Sequence, residues 1–220
     1  MTQIIKTKNH VLSVFDFDGT LTRHDSFLPF LRFAFGKRCF IKNMAKLVTP
    51  TLRCMRRKLT RDELKEVLIT LFLTDVNEAW LTLKAEEYCK RYWTHLMRPK
   101  GLMAVAYEVS SGAEVTLCSA SPMLVLQPFA DRLGIKLIGT RLESINGVLT
   151  GRIVGHNCRC IQKIHRLEAT YGSLSQFHLR AWGDSRGDYE LLAAAKEAYW
   201  RHFHPVRGFS KRPVAHKHIP

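Results

Sequence analysis

Short apolar runs alternate with longer amphipathic stretches along most of the chain. Four of the runs are rich in β-branched or aromatic residues, as buried strands are, and the stretches between them repeat apolar residues with helical spacing. Strands that alternate with helices predict a parallel sheet covered by helices on both faces. The predicted strands are 11–15, 113–118, 135–138 and 178–182, and the predicted helices among them are 102–109, 123–133, 161–171 and 189–196.

Two features interrupt this alternation. About 80 residues separate the first two predicted strands, far more than one crossover helix requires. The helical patterns at 27–35, 40–48, 61–72 and 77–96 predict an inserted helical domain, which we call the cap. Later, Asn146-Gly147 between two short apolar runs predicts a β-hairpin. We therefore expect a core domain of residues 1–22 and 104–206, a cap of 23–103, and a flexible basic tail of 207–220.

Basic charge is concentrated in two segments of the chain. The 220 residues carry a formal charge of +15. Residues 23–61 contain 11 Lys or Arg with Asp25 as the one acid, and residues 201–220 contain five Lys or Arg and no acid. The remainder is neutral, so a uniformly basic, nucleic-acid-binding surface describes the chain poorly.

Cysteine spacing and hydropathy indicate the cellular compartment in which we expect the protein. The six cysteines lack the spacing of a zinc site or a disulfide framework, so we expect reduced thiols. No run of 18 apolar residues predicts a membrane-spanning helix, and the N-terminal residues lack a signal-peptide pattern. The expected location is cytoplasmic. His95, His156 and His165 show no catalytic or metal spacing, and we expect them to be surface or structural residues.

Polar clusters follow the predicted strands. In a parallel sheet ligands bind beyond the carboxyl ends of the strands. Several carboxylates meeting there would have raised pKa values unless a divalent cation neutralised them, and oxygen ligands alone favour Mg²⁺. With a lysine and a serine hydroxyl, such a site suits a phosphate group. The residues are Asp16 and Asp18 after the first strand, Ser119 after the second, Asp184 and Asp188 after the fourth, and Lys163 at a helix start.

These clusters resemble a known set of motifs. Asp16-Phe-Asp-Gly-Thr, Ser119, Lys163 and Gly183-Asp-Ser-Arg-Gly-Asp are similar, in order and spacing, to the four motifs of haloacid-dehalogenase (HAD) superfamily phosphatases. The stretch Asp-Gly-Thr-Leu-Thr-Arg-His-Asp-Ser-Phe resembles the phosphoserine-phosphatase-like branch, in which a helical cap follows the first motif. The resemblance spans residues 11 to about 200 and implies an α/β, Rossmann-like core with an inserted α-helical cap.

The resemblance also implies a reaction, the Mg²⁺-dependent hydrolysis of a phosphomonoester through an aspartyl-phosphate intermediate. The first aspartate would be the nucleophile, and the second would protonate the leaving group and then activate water. The implied roles are Asp16 as nucleophile and metal ligand, Asp18 as general acid and base and as a metal ligand through its carbonyl, Asp184 as metal ligand, Asp188 in the next layer, and Gly19, Ser119 and Lys163 around the phosphate.

Two cap residues are candidates for substrate specificity. In phosphoserine-specific relatives an acid after the first motif and a cap arginine contact the substrate. Asp25 stands near the position of that acid, and Lys65 is the nearest cationic counterpart of the arginine. The expected substrate is a small phosphorylated metabolite such as phosphoserine, or the head-group phosphate of a phospholipid.

The cap sequence also suggests a membrane contact. On a helical wheel of residues 40–49, Phe40, Ile41, Met44, Leu47 and Val48 form an apolar arc opposite Lys42, Asn43, Lys46 and Thr49. This arc either packs inside the cap or lies on an anionic membrane, at its inner face. An alternative function follows, in which a weak or vestigial enzyme binds membrane or nucleic acid through its basic segments. The complete motif set, and a tail with few aromatic residues, disfavour nucleic acid.

Overall fold

The computed structural model describes residues 10–201 and 203–206, so the predicted tail, 207–220, lies outside the described residues. In chain order the strands are β1 (Val11–Phe15), β2 (Val76–Asn77), β3 (Glu114–Pro122), β4 (Lys136–Thr140), β5 (Leu142–Ile145), β6 (Val148–Ile153), β7 (His178–Gly183), β8 (Glu197–Trp200) and β9 (His204–Val206). The helices are α1 (Phe27–Lys46), α2 (Val48–Met55), α3 (Arg61–Leu73), α4 (Glu78–Leu96), α5 (Pro99–Ser110), α6 (Met123–Leu133), α7 (Ile161–Tyr171) and α8 (Tyr189–Ala194).

Six strands form the main sheet, in the order β4-β3-β1-β7-β8-β9. All neighbours are parallel except β9, which runs antiparallel to β8. At the centre, Phe15 of β1 lies in register with Leu117 of β3 and Trp182 of β7. The carboxyl ends of these three strands therefore meet at one edge of the sheet, and the predicted α/β class is confirmed.

The sheet is buried on both faces, and β1 contributes to both. Leu12 and Val14 pack in a cluster with Leu167 of α7, whereas Phe15 packs in the cluster that contains Phe129 of α6. The alternation of side chains along a strand sends neighbouring residues to opposite faces. Because helices cover both faces, β1 is an unbroken apolar run apart from Ser13, as the sequence pattern predicted.

Helices α1 to α4 lie between β1 and β3 in the chain, where the inserted helices were predicted. The predicted break at Gly36 is a kink within α1, where φ is +76°. Aromatic side chains hold α1 against α4: the ring of Phe33 lies 5.5 Å from that of Tyr88 and 5.8 Å from that of Tyr92. The boundaries that we gave the two domains remain a prediction.

A second sheet, in the order β2-β6-β5, links the inserted helices to the later part of the chain. Its turn, Asn146-Gly147, has φ values of +51° and +76°, the left-handed pair that a tight hairpin requires. The predicted hairpin is therefore confirmed. Its strand β6 also pairs with β2, where Val76 lies opposite Leu149. This pairing, which the sequence did not predict, attaches the hairpin to the segment that carries α3 and α4.

The apolar arc predicted for residues 40–49 does not share one environment. Phe40 and Met44 are half-buried and Leu47 is buried, so these three pack among the inserted helices. Asn43, which we placed on the polar side, is also buried, and its Nδ2 donates to the Leu71 carbonyl at 3.2 Å. On one helical wheel the buried and half-buried residues Asn43, Leu47, Phe40 and Met44 fall in one sector, and Val48 and Ile41 lie outside it, at about 80° and 100° from Phe40. The predicted arc was wrong because it grouped residues by hydropathy alone.

The other two residues of the arc, Ile41 and Val48, are 55% and 56% exposed. Packing among the inserted helices therefore accounts for three of the five residues, and the predicted membrane contact stays a prediction. In the described part of the chain, no helix is long and apolar enough to cross a bilayer. All six cysteines are free thiols, and the three histidines set aside above are exposed.

Candidate active site

The loop after β1 begins the candidate site. The Asp16 N–H donates to the Trp182 carbonyl at 2.9 Å, which extends the pairing of β1 with β7 by one residue. The chain then turns at Gly19, where φ is +81°. A Cβ at this position would lie 2.1 Å from Oδ2 of Asp184, so only glycine lets the two loops approach so closely. The Gly19 N–H, predicted to face a phosphate, donates here to Thr22 Oγ1 at 3.1 Å.

Lys163, in the first turn of α7, lies at the centre of the site. Its Nζ donates to Asp16 Oδ1, to Asp188 Oδ1 and to the Cys118 carbonyl, each at 2.6 Å. The residue is 1% exposed. Burial alone would lower the pKa of this ammonium, but Asp16 and Asp188 raise it well above the usual value. Lys163 is therefore a permanent cation between two carboxylates.

Asp188 is the second carboxylate that holds Lys163. Its Oδ2 accepts from the Ser185 N–H at 3.0 Å and from the Ser185 hydroxyl at 2.9 Å. Burial acts to raise the pKa of Asp188, but the ion pair with Lys163 and the Ser185 hydrogen bonds outweigh it and lower the pKa. Asp188 is thus ionised and holds the ammonium in place.

Three carboxylates form a cluster suited to a cation. One oxygen each from Asp16, Asp184 and Asp188 lies within 4.8 Å of the others. Oδ1 of Asp184 is buried and accepts no hydrogen bond from the described residues. Burial, and then the charge of Asp188, raises the pKa of both Asp16 and Asp184. Lys163 balances one of the three negative charges, so the cluster fits a divalent cation that prefers oxygen ligands, such as Mg²⁺.

The side-chain cluster contains Asp16 and Asp184, the two predicted side-chain ligands, together with Asp188, which we placed in the next layer. Asp18 was predicted to bind through its backbone carbonyl, and its side chain is not part of the cluster. The Asp18 carboxylate turns instead toward the start of α1, where Oδ1 accepts from the Ser26 N–H at 2.7 Å and Oδ2 from the Ser121 hydroxyl at 2.5 Å. Burial, and next the charge of Asp25, raises the pKa of Asp18 to about 6, against the effect of both hydrogen bonds. A carboxyl group with this pKa exchanges its proton near neutral pH.

Ser121 was missed by the sequence analysis, which selected Ser119. Ser119 is buried, and its Oγ accepts from the Ser121 N–H at 3.1 Å. The Ser121 hydroxyl, rather than that of Ser119, contacts Asp18. These two residues are 103 positions apart, so no local pattern could have identified the contact.

Lys65 extends from α3 to the carboxyl end of β3, close to Ser119. Its Nζ donates to the Ala120 carbonyl and, at 2.8 Å, to Oδ1 of Asn157. Burial lowers the pKa of Lys65 to about 8, although the charges of Asp18 and Asp62 oppose the shift. Asn157 also donates to Asp62 at 2.7 Å and was not among the predicted residues. A polar network therefore joins α3 to the edge of the main sheet beside the site.

Asp25 binds the backbone at the start of α1. The residue is exposed, and its Oδ1 accepts from the Leu28 N–H at 3.0 Å, at the start of α1. Its charge also contributes to the raised pKa of Asp18. Asp25 therefore lies near the site, as predicted, with its side chain bound to the backbone of α1.

A cavity of about 580 Å³ opens over Asp18 and Asp184. This volume is within the range of sites for small molecules. Arginines line this cavity together with the aspartates, and their positive charge was not assigned to the site from the sequence. The lining residues are Asp18, Gly19, Arg23, His24, Asp25, Arg98, Asp184, Ser185 and Arg201.

Residues 13–193 match the family model of haloacid dehalogenase-like hydrolases. The chain belongs to this hydrolase family. The resemblance on which the sequence analysis relied is therefore confirmed over most of the chain.

Individual proteins give the same result. The chain is 35% identical over 195 residues to Protein CicA of Caulobacter vibrioides. The aligned residues are 88% of this chain and 86% of CicA. A solved structure of a protein of unknown function from Bordetella pertussis Tohama I superposes with a TM-score of 0.74 at 24% identity and covers 87% of this chain and 90% of its own. A substrate-bound phosphoserine phosphatase superposes with a TM-score of 0.60 at 18% identity, over 88% and 86%. The last two likenesses show the fold, which is that of the phosphoserine phosphatases.

Proposed function

We propose that this hydrolase is a phosphomonoesterase in which Asp16 is the nucleophile. One observation carries the proposal. The buried carboxylate of Asp16 is held at 2.6 Å by Lys163 at the sheet edge, and the loop that it begins carries Asp18, a carboxyl group with a pKa of about 6. A fixed nucleophile, a cation for the phosphoryl oxygens and a nearby proton donor are the parts that phosphate transfer to a carboxylate requires.

In the first step an Asp16 oxygen attacks phosphorus and the phosphorus–oxygen ester bond breaks. Asp18, protonated below its pKa of about 6, gives its proton to the departing alkoxide. The Lys163 ammonium binds the phosphoryl oxygens, and the Ser119 hydroxyl donates a hydrogen bond to them. The products of this step are the free alcohol and an aspartyl-phosphate on Asp16.

In the second step water attacks the same phosphorus atom. Asp18, left ionised by the first step, takes the proton of this water, and the bond between phosphorus and Asp16 breaks. Inorganic phosphate leaves, and both carboxyl groups return to their starting states. The Ser121 and Ser26 hydrogen bonds support this role because they hold Asp18 in one orientation for both proton transfers.

We further propose Mg²⁺ as the cofactor, held by Asp16, Asp184 and the backbone carbonyl of Asp18, with Asp188 supporting the set. When bound, the ion supplies positive charge that stabilises the phosphoryl oxygens. The buried Oδ1 of Asp184, which accepts no hydrogen bond from the described residues, supports this assignment. We expect Mg²⁺ to raise the melting temperature of the wild type, and to raise that of Asp184→Asn much less.

The proposed substrate is a small phosphorylated metabolite, phosphoserine-like, or the head-group phosphate of a phospholipid. Lys65 and Asp25 remain candidates for its non-phosphate part, together with Arg23 and Arg98 of the cavity. The cavity volume of about 580 Å³ supports a small polar ligand. Division into a core and a cap, and a cytoplasmic location, are part of the same proposal.

The test compares wild type with Asp16→Asn on an aryl phosphate in the presence of Mg²⁺. We expect a loss of more than about a thousandfold in kcat. Asp75→Asn is the matched control, because Asp75 is exposed and already has a positive φ that asparagine tolerates. A second variant, Asp18→Asn, should release one equivalent of aryl alcohol in a burst and accumulate phosphorylated protein, since the base of the second step is missing.

Two results would contradict the proposal. The first is a wild type with no activity on any phosphomonoester after Mg²⁺ is supplied, which would favour the alternative of a vestigial enzyme. The second is an Asp16→Asn variant as active as Asp75→Asn.

A further inference from the structure

Helix α2 buries none of its eight residues. Val48, Leu52 and Met55 are spaced by four and three residues, which places them on one face of the helix. Their exposed fractions are 56%, 47% and 76%. Ile41, near the end of α1, is 55% exposed. Single exposed apolar residues are common on proteins, but a helical face made of them indicates a surface that contacts something else.

The charge around this face has one sign. Ten Lys or Arg and no acid occur between Asp25 and Asp62, and all ten are exposed. Within the described residues none of the ten forms a salt bridge. Helical geometry places the C-cap residue Arg56 beside the face of Val48 and Leu52, at about 80° from Val48 around the helix, and Arg53 farther round on the same side, at about 140°.

We infer that α2 and the end of α1 form a docking surface for an anionic lipid bilayer. We call it the α2 surface and define it by Val48, Leu52 and Met55 with the flanking Lys46, Arg53 and Arg56. Apolar side chains would enter the interface of the bilayer, while the neighbouring cations meet lipid phosphates. This inference is independent of the proposed reaction.

Charge complementarity favours this occupant over others. A nucleic acid would use the cations but would leave three exposed apolar side chains in water. A protein partner would need acidic residues opposite every cation as well as an apolar face. A bilayer that contains anionic lipid provides both chemistries over a continuous area, and its head groups are mobile enough to match irregularly spaced charges.

The experiment is co-sedimentation of the full chain with vesicles of phosphatidylcholine alone and of phosphatidylcholine mixed with phosphatidylglycerol, at low and physiological ionic strength. We expect binding to the mixed vesicles and much weaker binding to phosphatidylcholine. Val48→Ser/Leu52→Ser/Met55→Ser and Lys46→Glu/Arg56→Glu should each weaken the binding by about tenfold or more. Circular dichroism checks that both variants are folded.

Each variant has a matched control. Met103→Ser/Tyr107→Ser alters two residues of α5 that are 71% and 65% exposed, and Lys90→Glu/Lys100→Glu reverses two exposed charges elsewhere. Both controls should bind the vesicles as the wild type does. The inference is overturned if the wild type ignores anionic vesicles, or if variants and controls lose binding equally. It is also overturned if a single-stranded RNA binds as tightly as the vesicles and the triple serine variant leaves both interactions unchanged.

Discussion

Lysine side chains have opposite environments in two regions of this protein. At the sheet edge, Lys163 is 1% exposed and surrounded by three acceptors at 2.6 Å. On α1, Lys42 and Lys46 are exposed, in a segment that contains no acid. A buried charge must be paired, whereas an exposed charge is stabilised by water and can remain in excess. The comparison teaches that excess charge is tolerated only at a surface, while a buried lysine requires the paired acids that make up the candidate site.

The largest expected effect is that of Lys163→Met. It leaves the carboxylates of Asp16 and Asp188 buried without their cation, so we expect unfolding to become easier by about 3–5 kcal/mol. Phosphatase activity should fall by more than about a thousandfold. Urea unfolding and aryl phosphate hydrolysis measure the two quantities.

Lys136→Met is the control for that experiment. Lys136 pairs with Glu114 at 2.9 Å, but the two side chains are 60% and 41% exposed. Removing an exposed pair should change the stability by less than about 1 kcal/mol. Equal losses in the two variants would contradict the distinction between buried and exposed lysines.

Glycine allows a second comparison of the same two regions. Gly19→Ala and Gly36→Ala each place a side chain at a positive φ, +81° and +76°, so both should lose about 1–3 kcal/mol of stability. A Cβ at Gly19 also overlaps Asp184, whereas a Cβ at Gly36 has nothing within 4 Å. Only Gly19→Ala should lose activity, by about a hundredfold, because Asp184 must move. An active Gly19→Ala protein would refute this account of the glycine.

Lys65 lies between the two regions and provides a pH test. Above its pKa of about 8 the side chain loses its charge. If it faces the substrate, the KM for an anionic phosphomonoester should rise by about tenfold as the pH passes through 8. Lys65→Arg, which stays charged, should show a flat KM over that range. A flat KM in the wild type would remove Lys65 from the substrate contacts.

The same shift has a consequence for stability. Between pH 8 and 10.5, the ordinary lysine value, the unfolded chain holds a proton that the folded chain has lost. The free energy of unfolding therefore gains a contribution from Lys65 as the pH rises through this window. Below pH 8 both states hold the proton, and the unfavourable burial of the charge is fully present.

The smallest effect is expected for the α2 surface in the absence of lipid. Lys46→Glu/Arg56→Glu should change the free energy of unfolding by no more than about 0.5 kcal/mol, because both side chains are exposed. Activity on a soluble aryl phosphate should be unchanged. A loss above 1 kcal/mol would show that these cations support the fold rather than a surface.

The sequence predicted the parts of the fold that depend on local pattern. Strand β1, helices α6 and α7, and the hairpin at Asn146-Gly147 follow from apolar spacing and turn chemistry, and their observed bounds agree closely with those predicted. Strands β2, β8 and β9 were missed, since each has only two to four residues and exists through pairing with another strand. The arc of residues 40–49 was misplaced because hydropathy alone set its edges, whereas packing against the other inserted helices buries Asn43 and leaves Ile41 and Val48 exposed.

The residues of the candidate site also fall into those that a local pattern predicted and those that depend on distant contacts. Asp16, Asp18, Lys163, Asp184 and Asp188 were predicted because each follows a strand or begins a helix, and the structure brings them together as that rule requires. Ser121, Asn157 and the arginines of the cavity were not, because their contacts join residues that are distant in the chain.

The sequence alone thus determined the residue types of the candidate site, the sheet edge that holds them and the excess of charge on the inserted helices. Tertiary structure decided which hydroxyl meets Asp18, which carboxylates share the cluster and which apolar side chains stay in water. A local sequence pattern shows only the periodicity of a helix or strand. Contacts between residues about a hundred positions apart, such as that of Asp18 with Ser121, form only when burial of the apolar faces selects one packing of these elements among many.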